Sequence, residues 1–335
     1  MNDTRKRRPT LQDIADLTGV TKMTVSRYLR DPSAVAEGTR ERIAAAVEEL
    51  GYIPNRAPDM LSNATSKAIG ILIPSLSNQV FSAVIHGIEA VTRPAGYQTL
   101  LAHYGYSPER EEEQVASLLS YNVDGLILSD TQHTERTRKM IATAGIPVVE
   151  TMDLPLSPID MVVGMDHRAA ARAMVTEMLR RGRRKVIYLG ARLDVRTQLR
   201  MEGYYQAMAD FGLTGQHLLT EQSSSFTLGG ELLAQAMARF PDLDGLFCTN
   251  DDLAVGALLQ CQARWIPVPQ QVAIAGSNAL DIGHAMTPKL ASIVTPRETI
   301  GREAAIMLLA RLGGQPLATR CKDIGFSLYE GESLG

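Results

Sequence analysis

From Lys67 onward, short apolar runs alternate with helical segments, and this alternation limits the possible folds more than any other feature. Short apolar runs are typical of strands buried on both faces, whereas the segments between them carry apolar residues at helical spacing. The predicted strands are Ile69–Ile73, Thr99–Ala102, Gly125–Leu128, Pro147–Thr151, Lys185–Leu189, Gly245–Cys248 and Val272–Ala275. The predicted helices are Val80–Arg93, Pro108–Ser120, His167–Arg181, Gln198–Phe211 and Leu253–Arg264. The pattern predicts an α/β body of doubly wound parallel sheets.

The number of strand and helix units exceeds what one sheet of usual size holds. We therefore predict two lobes, with the boundary near Gly164–His167. Parallel sheets bind ligands at the carboxyl ends of their strands, so a ligand site is expected in the cleft between the lobes.

The segment Leu11–Leu29 has the pattern of two helices joined by a tight turn. Thr10 and Asp13 have the spacing of a capping box at the start of the first helix. Gly19 supplies the positive φ of the turn, and Thr21 can cap the second helix. The side chains predicted to face inward are Leu11, Ile14, Ala15, Leu17, Val20, Val25 and Leu29. Those predicted to face outward are Lys22, Met23, Ser26, Arg27 and Arg30. This arrangement is the helix-turn-helix unit, which places its second helix in the major groove of DNA.

The charge of the chain is unevenly divided. Residues 1–30 hold seven basic and three acidic residues, a net +4, whereas the whole chain carries −3 and the remainder therefore −7. A basic head on an acidic body indicates a polyanionic partner. No apolar run approaches the ~20 residues of a membrane helix, and no signal peptide is evident, so we expect a cytoplasmic protein without membrane contact. Three widely spaced cysteines predict neither a disulfide framework nor a zinc site.

A third helix is predicted over Thr39–Leu50, ended by Gly51. Beyond it, Pro58–Asn63 can form one or two helical turns, which are unstable unless docked on a partner. Ser62–Lys67 reads as a polar linker. The predicted division is a head over residues 1–53, a hinge helix and linker over 54–67, and a two-lobed body over 68–335.

The segments GVTKMTVSRYL, YIPNRAPDML, CTNDDLAVGA and PKLASI together resemble the LacI/GalR family of transcriptional regulators, in the family's order over nearly the whole chain. The family consists of cytoplasmic homodimers or tetramers with a helix-turn-helix head, a hinge helix and a body like that of periplasmic sugar-binding proteins. Within the family, LSNATS, HYGY, IPVVETMD, GARLDVRT, QSSS and CTNDD resemble the gluconate- and idonate-responsive repressors. The resemblance implies a repressor that is released from a palindromic operator by a small sugar acid.

For the head, the resemblance places Lys22 and Met23 as the base-reading pair, with Lys22 suited to guanine and Met23 to a thymine methyl. Arg27 matches a second base or phosphate contact. Leu61 matches a hinge leucine that enters the minor groove, although Pro58 departs from the usual hinge sequence. Residues suited to phosphate oxygens are Thr10, Thr21, Ser26 and Asn55.

For the cleft, the resemblance implies a set of residues at strand ends. They are Asn78, Gln79, Phe81, Ser129, Glu150, Arg196, Arg200, Ser224, Asn250, Asp251, Asn278 and Arg297. Arg196 is the preferred clamp for a carboxylate, with Arg200 and Arg297 in reserve. Arg192 and Arg200 can each equally be an ordinary surface residue. Glu150 can accept hydroxyls in the cleft, pair with a cleft arginine or cap a strand.

Two departures from the family favour an anionic, open-chain ligand. Ser277 and Asn278 stand where an aromatic residue and an aspartate are common, and loss of a carboxylate removes repulsion of an anion. Ser223–Ser225 replace the usual aromatic platform for a ring. A regulator that responds to a phosphorylated or neutral sugar stays open as the alternative.

Enzymes and transport binding proteins are the rival classes. The sequence has no phosphate-binding loop, dinucleotide fingerprint, nucleophile elbow or zinc-protease motif. Asp251 and Asp252 alone make a poor metal-ligand set, so neither a metal nor a cofactor is expected. The head argues against a transport protein, which would share only the body.

Overall fold

The structure is a computed structural model that describes residues 7–55 and 65–335. The chain divides into two compact units between Ser66 and Lys67. The predicted hinge helix falls mostly on residues 56–64, which lie outside the described part, so its extent stays a prediction.

The head consists of α1 (Leu11–Thr18), α2 (Lys22–Arg30), a short 3₁₀ turn and α3 (Glu37–Leu50). The predicted capping box is confirmed, since the Asp13 backbone N–H donates to Thr10 and the Asp13 carboxylate accepts from the Thr10 backbone N–H. Gly19 has φ of 68° and ends α1, and Thr21 caps α2. These local signals fix the turn between the two helices.

The head has its own small apolar core. Its buried members are Ile14, Ala15, Val25, Val35, Ile43, Ala46 and Tyr52. The prediction that Leu17 faces inward is wrong, because its side chain is 50% exposed. Thr18, one helical turn after Ile14, takes the inward position and its hydroxyl donates to the Ile14 carbonyl oxygen at 2.7 Å.

The first lobe is built on a six-stranded parallel sheet. Its strands are β1 (Ala68–Ile73), β2 (Gln98–His103), β3 (Gly125–Leu128), β4 (Val148–Met152), β5 (Met161–Gly164) and β11 (Cys321–Asp323), in the order β11-β5-β4-β3-β1-β2. Its helices in the first half of the chain are α4 (Gln79–Thr92), α5 (Pro108–Ser120) and α6 (Glu135–Ala144). The predicted strands of this lobe are confirmed to within one residue at each end.

The second lobe repeats the design. Its strands are β6 (Val186–Ala191), β7 (Gln216–Thr220), β8 (Gly245–Cys248), β9 (Ala273–Ser277), β10 (Ala291–Val294) and β12 (Ser327–Tyr329), in the order β12-β10-β9-β8-β6-β7. β12 runs antiparallel to β10, and the other neighbours are parallel. The helices are α7 (His167–Arg180), α8 (Val195–Asp210), α9 (Phe226–Arg239), α10 (Asp251–Ala263) and the short α11 (Asp281–Ala285). The predicted α/β class with two parallel-sheet lobes is thus confirmed.

The chain passes between the lobes three times. The first crossing follows Gly164, and α7 then packs in the second lobe, as predicted. After β10, helix α12 (Arg297–Leu312) returns to the first lobe, and β11 joins the first sheet before β12 joins the second. These two later crossings were not predicted from the sequence, and neither were the strands β5, β7, β10, β11 and β12.

Helix α12 approaches α4 at two glycines. A Cβ on Gly87 would lie 2.1 Å from the Glu298 carbonyl oxygen, and one on Gly301 would lie 2.0 Å from the Val84 carbonyl oxygen. Only glycine at both positions permits this backbone contact, which attaches α12 to the first lobe.

In each lobe the strand order reverses beside one central strand. β1 pairs with β2 on one side and β3 on the other, and β6 pairs likewise with β7 and β8. The loops that leave the carboxyl ends of such strands diverge and open a crevice. Asn78, Arg192 and Asn250 follow β1, β6 and β8, so the topology brings them to this crevice.

Candidate functional site

The recognition helix α2 presents its first two residues outward. Lys22 is exposed and the Met23 side chain is 72% exposed. The Thr21 hydroxyl accepts from the Thr24 backbone N–H at 3.2 Å and lies 2.9 Å from the Thr24 hydroxyl. Both side chains lie at the N-terminal end of this capped helix. A long cation and a flexible apolar side chain in this position suit contact with base edges in a major groove.

A groove beside this helix gathers basic and polar side chains of the head. Arg7, Arg8, Thr10, Lys22 and Asn55 line it, and about 1010 Å³ of it is open to water-sized molecules. Three cations in one groove create the positive potential that attracts a phosphate backbone.

The other residues predicted to contact DNA differ in their exposure and in their existing hydrogen bonds. Arg27 is exposed and Ser26 half-buried on α2. The Thr10 hydroxyl is engaged by Asp13, to which it donates at 2.7 Å. Leu61 lies outside the described residues.

The body contains two adjoining cavities in the crevice between its lobes. The inner cavity is lined by Asn78, Val80, Phe81, Tyr106, Met152, Arg192, Asp194, Arg196, Thr197, Arg200, Asn250 and Asn278. The outer cavity is lined by Pro74, Ser75, Leu76, Ser77, Asn78, His103, Gly105, Tyr106, Arg192, Ser223, Ser224 and Asp252. Water-sized molecules can occupy about 30 Å³ of the inner cavity and about 450 Å³ of the outer one. The two cavities adjoin at Asn78, Tyr106 and Arg192, which line both of them.

The structure brings seven of the twelve predicted cleft residues to these cavities. They are Asn78, Phe81, Arg196, Arg200, Asn250 and Asn278 at the inner cavity and Ser224 at the outer one. The Asn250 side-chain amide donates to the Ser224 hydroxyl at 2.8 Å, and the Asn78 amide donates to the Tyr106 hydroxyl at 3.3 Å. Amides and hydroxyls of this kind suit a ligand with many hydroxyl groups.

Arg196, the preferred clamp, is already paired across the two lobes. Its Nη1 donates to Asp153 Oδ2 at 2.9 Å and to the Ser129 carbonyl oxygen at 3.2 Å. Burial alone would raise the pKa of Asp153, but Arg196 and His167 hold it below its ordinary value. A ligand carboxylate at Arg196 therefore shares the guanidinium with Asp153.

Arg200 is buried beside this pair, but its hydrogen-bond partners are a carbonyl oxygen and a histidine ring and not a carboxylate. Its Nη1 donates to the Thr249 carbonyl oxygen at 2.6 Å and its Nη2 lies 3.2 Å from His167 Nδ1. Burial and the nearby Arg200 lower the pKa of His167, so its neutral ring can accept this hydrogen bond. Among the described residues, no carboxylate forms an ion pair with Arg200, and its Nε has no hydrogen-bond partner. Burial lowers the pKa of Arg200, although Asp194 and Asp153 act in the opposite direction without forming an ion pair with it.

Arg192 and Tyr106 meet across the mouth of the inner cavity. Arg192 Nη1 donates to the Tyr106 hydroxyl at 3.0 Å, and the guanidinium carbon lies 4.1 Å from the ring centroid. Arg192, Leu193 and Tyr106 all have positive φ values, of 67°, 52° and 62°. Such backbone strain is frequent where a site requires a fixed side-chain position.

Glu150 does not line either cavity, in contrast to the prediction. Its Oε2 accepts from the Ile159 backbone N–H at 2.5 Å, and its Oε1 lies 3.4 Å from His133 Nε2. His133 Nδ1 lies 2.8 Å from Glu111 Oε1. Burial alone would lower the pKa of His133, but the two carboxylates raise it to about 9. Side chains alternate along β4, so Glu150 faces α5 and α6 with Val148, where the protonated His133 balances its charge.

Four further predicted residues lie off the cavities. Asp251 Oδ1 accepts from the Ser292 hydroxyl at 2.6 Å and its Oδ2 from the Leu280 backbone N–H at 2.7 Å, and burial raises its pKa to about 6. Arg297 donates to the Ala279 carbonyl oxygen at 3.3 Å. Gln79 is exposed, and Ser129 contributes its carbonyl oxygen to Arg196. These contacts support the cleft rather than line it.

Asp153 and Tyr106 were not singled out from the sequence, and Asp252 was considered only as a metal ligand beside Asp251. Asp153 follows the carboxyl end of a predicted strand, which is where parallel sheets place functional side chains. This position at the end of a strand is the feature of the sequence that could have identified Asp153 as a cleft residue. Within the described residues, no cluster of three or more His, Cys, Asp or Glu side chains could hold a metal ion. Of the helices in that part of the chain, none is both long and apolar enough to cross a membrane.

Comparison with known proteins agrees with this arrangement in both units. Residues 10–55 match the family of bacterial regulatory proteins, lacI family, and residues 66–321 match the periplasmic binding proteins and sugar binding domain of LacI family. The chain belongs to the LacI family. The HTH-type transcriptional regulator GntR of Escherichia coli K12 is 56% identical over 330 residues, which cover 98% of this chain and 100% of that protein. The HTH-type transcriptional regulator IdnR of the same strain is 51% identical over 331 residues, with 98% and 100% covered.

Solved structures show the same LacI-family fold. A LacI-family regulator from Silicibacter pomeroyi has a TM-score of 0.91 at 34% identity and covers 97% of this chain and 99% of its own. The transcription regulator GntR from Chromobacterium violaceum has a TM-score of 0.78 at 37% identity, with 79% and 98% covered. This LacI-family member is therefore a DNA-binding regulator of transcription, and the predicted repressor class is confirmed. Its relatives are regulators rather than enzymes.

Proposed function

We propose that this LacI-family protein represses genes for sugar-acid catabolism and leaves its operator when a sugar acid of the gluconate or idonate type binds the inner cavity. The observation that carries the proposal is Arg200, a buried guanidinium without a carboxylate partner among the described residues. A buried cation of this kind is stabilised when an anionic ligand supplies the missing charge.

The charges around the inner cavity favour a ligand with one negative charge. Arg192, Arg196 and Arg200 supply three positive charges, and Asp194 with the nearby Asp153 supplies two negative ones. A monoanion balances this group. The side chains of Asn78, Asn250 and Asn278 offer donors and acceptors for the hydroxyl groups of an open chain.

On the DNA side, we propose that two copies bind the two halves of a palindromic operator in the cytoplasm. Lys22 and Met23 read bases, and Arg27, Ser26, Thr21, Thr10 and Asn55 contact the phosphate backbone. A homodimer follows from the two-fold symmetry of such a site, and Leu61 enters the minor groove between the half-sites. When the cleft closes on the effector, the two lobes move relative to each other. This movement lowers the affinity of the protein for its operator.

The test compares ligands of matched length. Gluconate and its neutral analogue sorbitol differ at one end only, and glucose serves as the neutral cyclic sugar. We expect gluconate to raise the unfolding temperature of the full-length protein and to release a labelled operator, because ligand at about 100 times its Kd stabilises by about 2.7 kcal/mol. Release by glucose or sorbitol as readily as by gluconate would contradict the sugar-acid proposal. Release by a phosphorylated sugar alone would favour the alternative effector class.

Substitution at the start of α2 should change which operator is preferred. We expect Lys22→Ala and Met23→Ala to change discrimination by about 1–3 kcal/mol at one or two base positions, because each removes a base contact. Arg40→Ala, on α3, removes one charge outside these contacts and should leave the ranking unchanged. Replacement of Arg7 and Arg8 by Gln should weaken binding to all sequences alike and reduce its salt dependence. Binding selections on randomised operators measure both effects. An unchanged ranking for both α2 variants would mean that α2 is not the reading helix.

A further inference from the structure

The outer cavity carries an acidic side chain that the proposed function does not use. Asp252 lies in the first turn of α10 and lines this cavity, whereas its neighbour Asp251 is fully buried and bound to Ser292. Arg192 lines the same cavity. The Arg192 guanidinium favours the ionised form of Asp252, although burial raises the pKa of that carboxyl. One positive and one negative side chain therefore line the outer cavity.

The inner cavity cannot hold a whole six-carbon acid in this structure. Water-sized molecules can occupy about 30 Å³ of it, whereas the outer cavity offers about 450 Å³ on the same measure. On this measure one water molecule needs about 10–15 Å³, so the inner cavity has room for about two or three waters, whereas a six-carbon acid has more than ten non-hydrogen atoms. A ligand anchored at Arg200 therefore extends past Asn78, Tyr106 and Arg192 into the outer cavity.

The cation at this passage already has partners. Arg192 Nη1 donates to the Tyr106 hydroxyl, its guanidinium covers the Tyr106 ring, and Asp194 Oδ2 lies 4.0 Å from Nη1. An anion placed in the outer cavity would compete with Asp194 for Arg192 and would face the Asp252 carboxylate. Like charges brought together in a partly buried site cost free energy unless a further cation compensates them.

We propose that the cleft admits sugar acids with a negative charge at one end only, and that Asp252 excludes those charged at both ends. The excluded class comprises aldaric acids and sugar acids phosphorylated at the far end. The orientation of the ligand does not matter, because a chain with an anion at each end places one of them in the outer cavity whichever end meets Arg200. This inference rests on the proposed sugar-acid function and identifies the effector within that class.

Calorimetric titration of the full-length protein tests the selectivity. The ligands are gluconate, glucarate, which adds a carboxylate at C6, and 6-phosphogluconate, which adds a phosphate there. We expect wild type to bind gluconate at least about tenfold more tightly than either glucarate or 6-phosphogluconate. Asp252→Asn should narrow this ratio at least about fivefold, because the repelling charge is removed.

Two variants separate charge from other effects. Asp252→Glu keeps the carboxylate and should keep the selectivity. Asp242→Asn removes an equal charge from the same lobe, where Asp242 pairs with Lys185 at the surface, and should leave the ratio at its wild-type value. Equal wild-type affinity for gluconate and glucarate, or an unchanged ratio in Asp252→Asn, overturns the inference while the sugar-acid proposal stands. A wild-type protein that binds none of the three acids overturns both.

Discussion

Arg200→Met is expected to give a repressor that binds its operator normally but is not released by gluconate. The methionine side chain fills much of the volume of the arginine but cannot bind the effector carboxylate. Removal of one partner of a buried, hydrogen-bonded charge pair costs about 2–5 kcal/mol, which corresponds to gluconate binding weakened by about 30-fold to several thousand-fold. Operator occupancy against gluconate concentration measures the effect, with calorimetry as a direct reading of ligand affinity.

A matched control is available in the same lobe. Arg172 is exposed on α7, where it pairs with Asp210 at 2.7 Å, and Arg172→Met makes the same chemical change outside the cleft. We expect this variant to respond to gluconate like wild type. If Arg200→Met also responds normally, the effector carboxylate is held by another group, and Arg196 becomes the first candidate.

Asp153→Ala is expected to cause the largest loss of stability in the body. Asp153 follows β4 in the first lobe, and its partner Arg196 lies on α8 in the second, so the substitution leaves Arg196 buried without its carboxylate. Breaking a buried ion pair by removing one partner costs about 3–5 kcal/mol. Asp210→Ala removes a surface partner instead and should cost at most about 1 kcal/mol. Urea unfolding followed by circular dichroism compares the two.

A double-mutant cycle shows whether the loss comes from the pair. Arg196→Met combined with Asp153→Ala leaves neither charge unpaired, so the double variant should lose less stability than the sum of the single variants. Additive losses would show that Asp153 and Arg196 stabilise the body independently.

The sequence predicted local features well because their signals are local. The Thr10–Asp13 capping box, the Gly19 turn and the strand Gly125–Leu128 depend on neighbouring residues, and the structure has each of them. The prediction that Leu17 faces inward was wrong because an eight-residue helix has only a narrow buried stripe. Thr18, and not Leu17, lies on that stripe.

The parts that could not be predicted depend on distant partners. A glutamate within an apolar run needs a partner, but the sequence does not show that Glu150 meets His133 and Glu111 rather than a ligand. The same holds for Arg196, whose partner Asp153 is 43 residues away. Helix α12 has a buried face that any of several surfaces could cover, and periodicity does not say which lobe provides it.

The three crossings have a consequence for how the protein can be divided. The first lobe of the described body draws on two separate stretches of chain: residues 68–164, and residues 297–323 with helix α12 and β11. A gene fragment cut after residue 164 encodes five strands of that sheet but lacks both the edge strand and the helix that packs on β4 and beside Ile88. A lobe of this protein therefore cannot be exchanged with that of a relative as one cassette. A functional chimaera has to carry residues 297–323 together with the first segment.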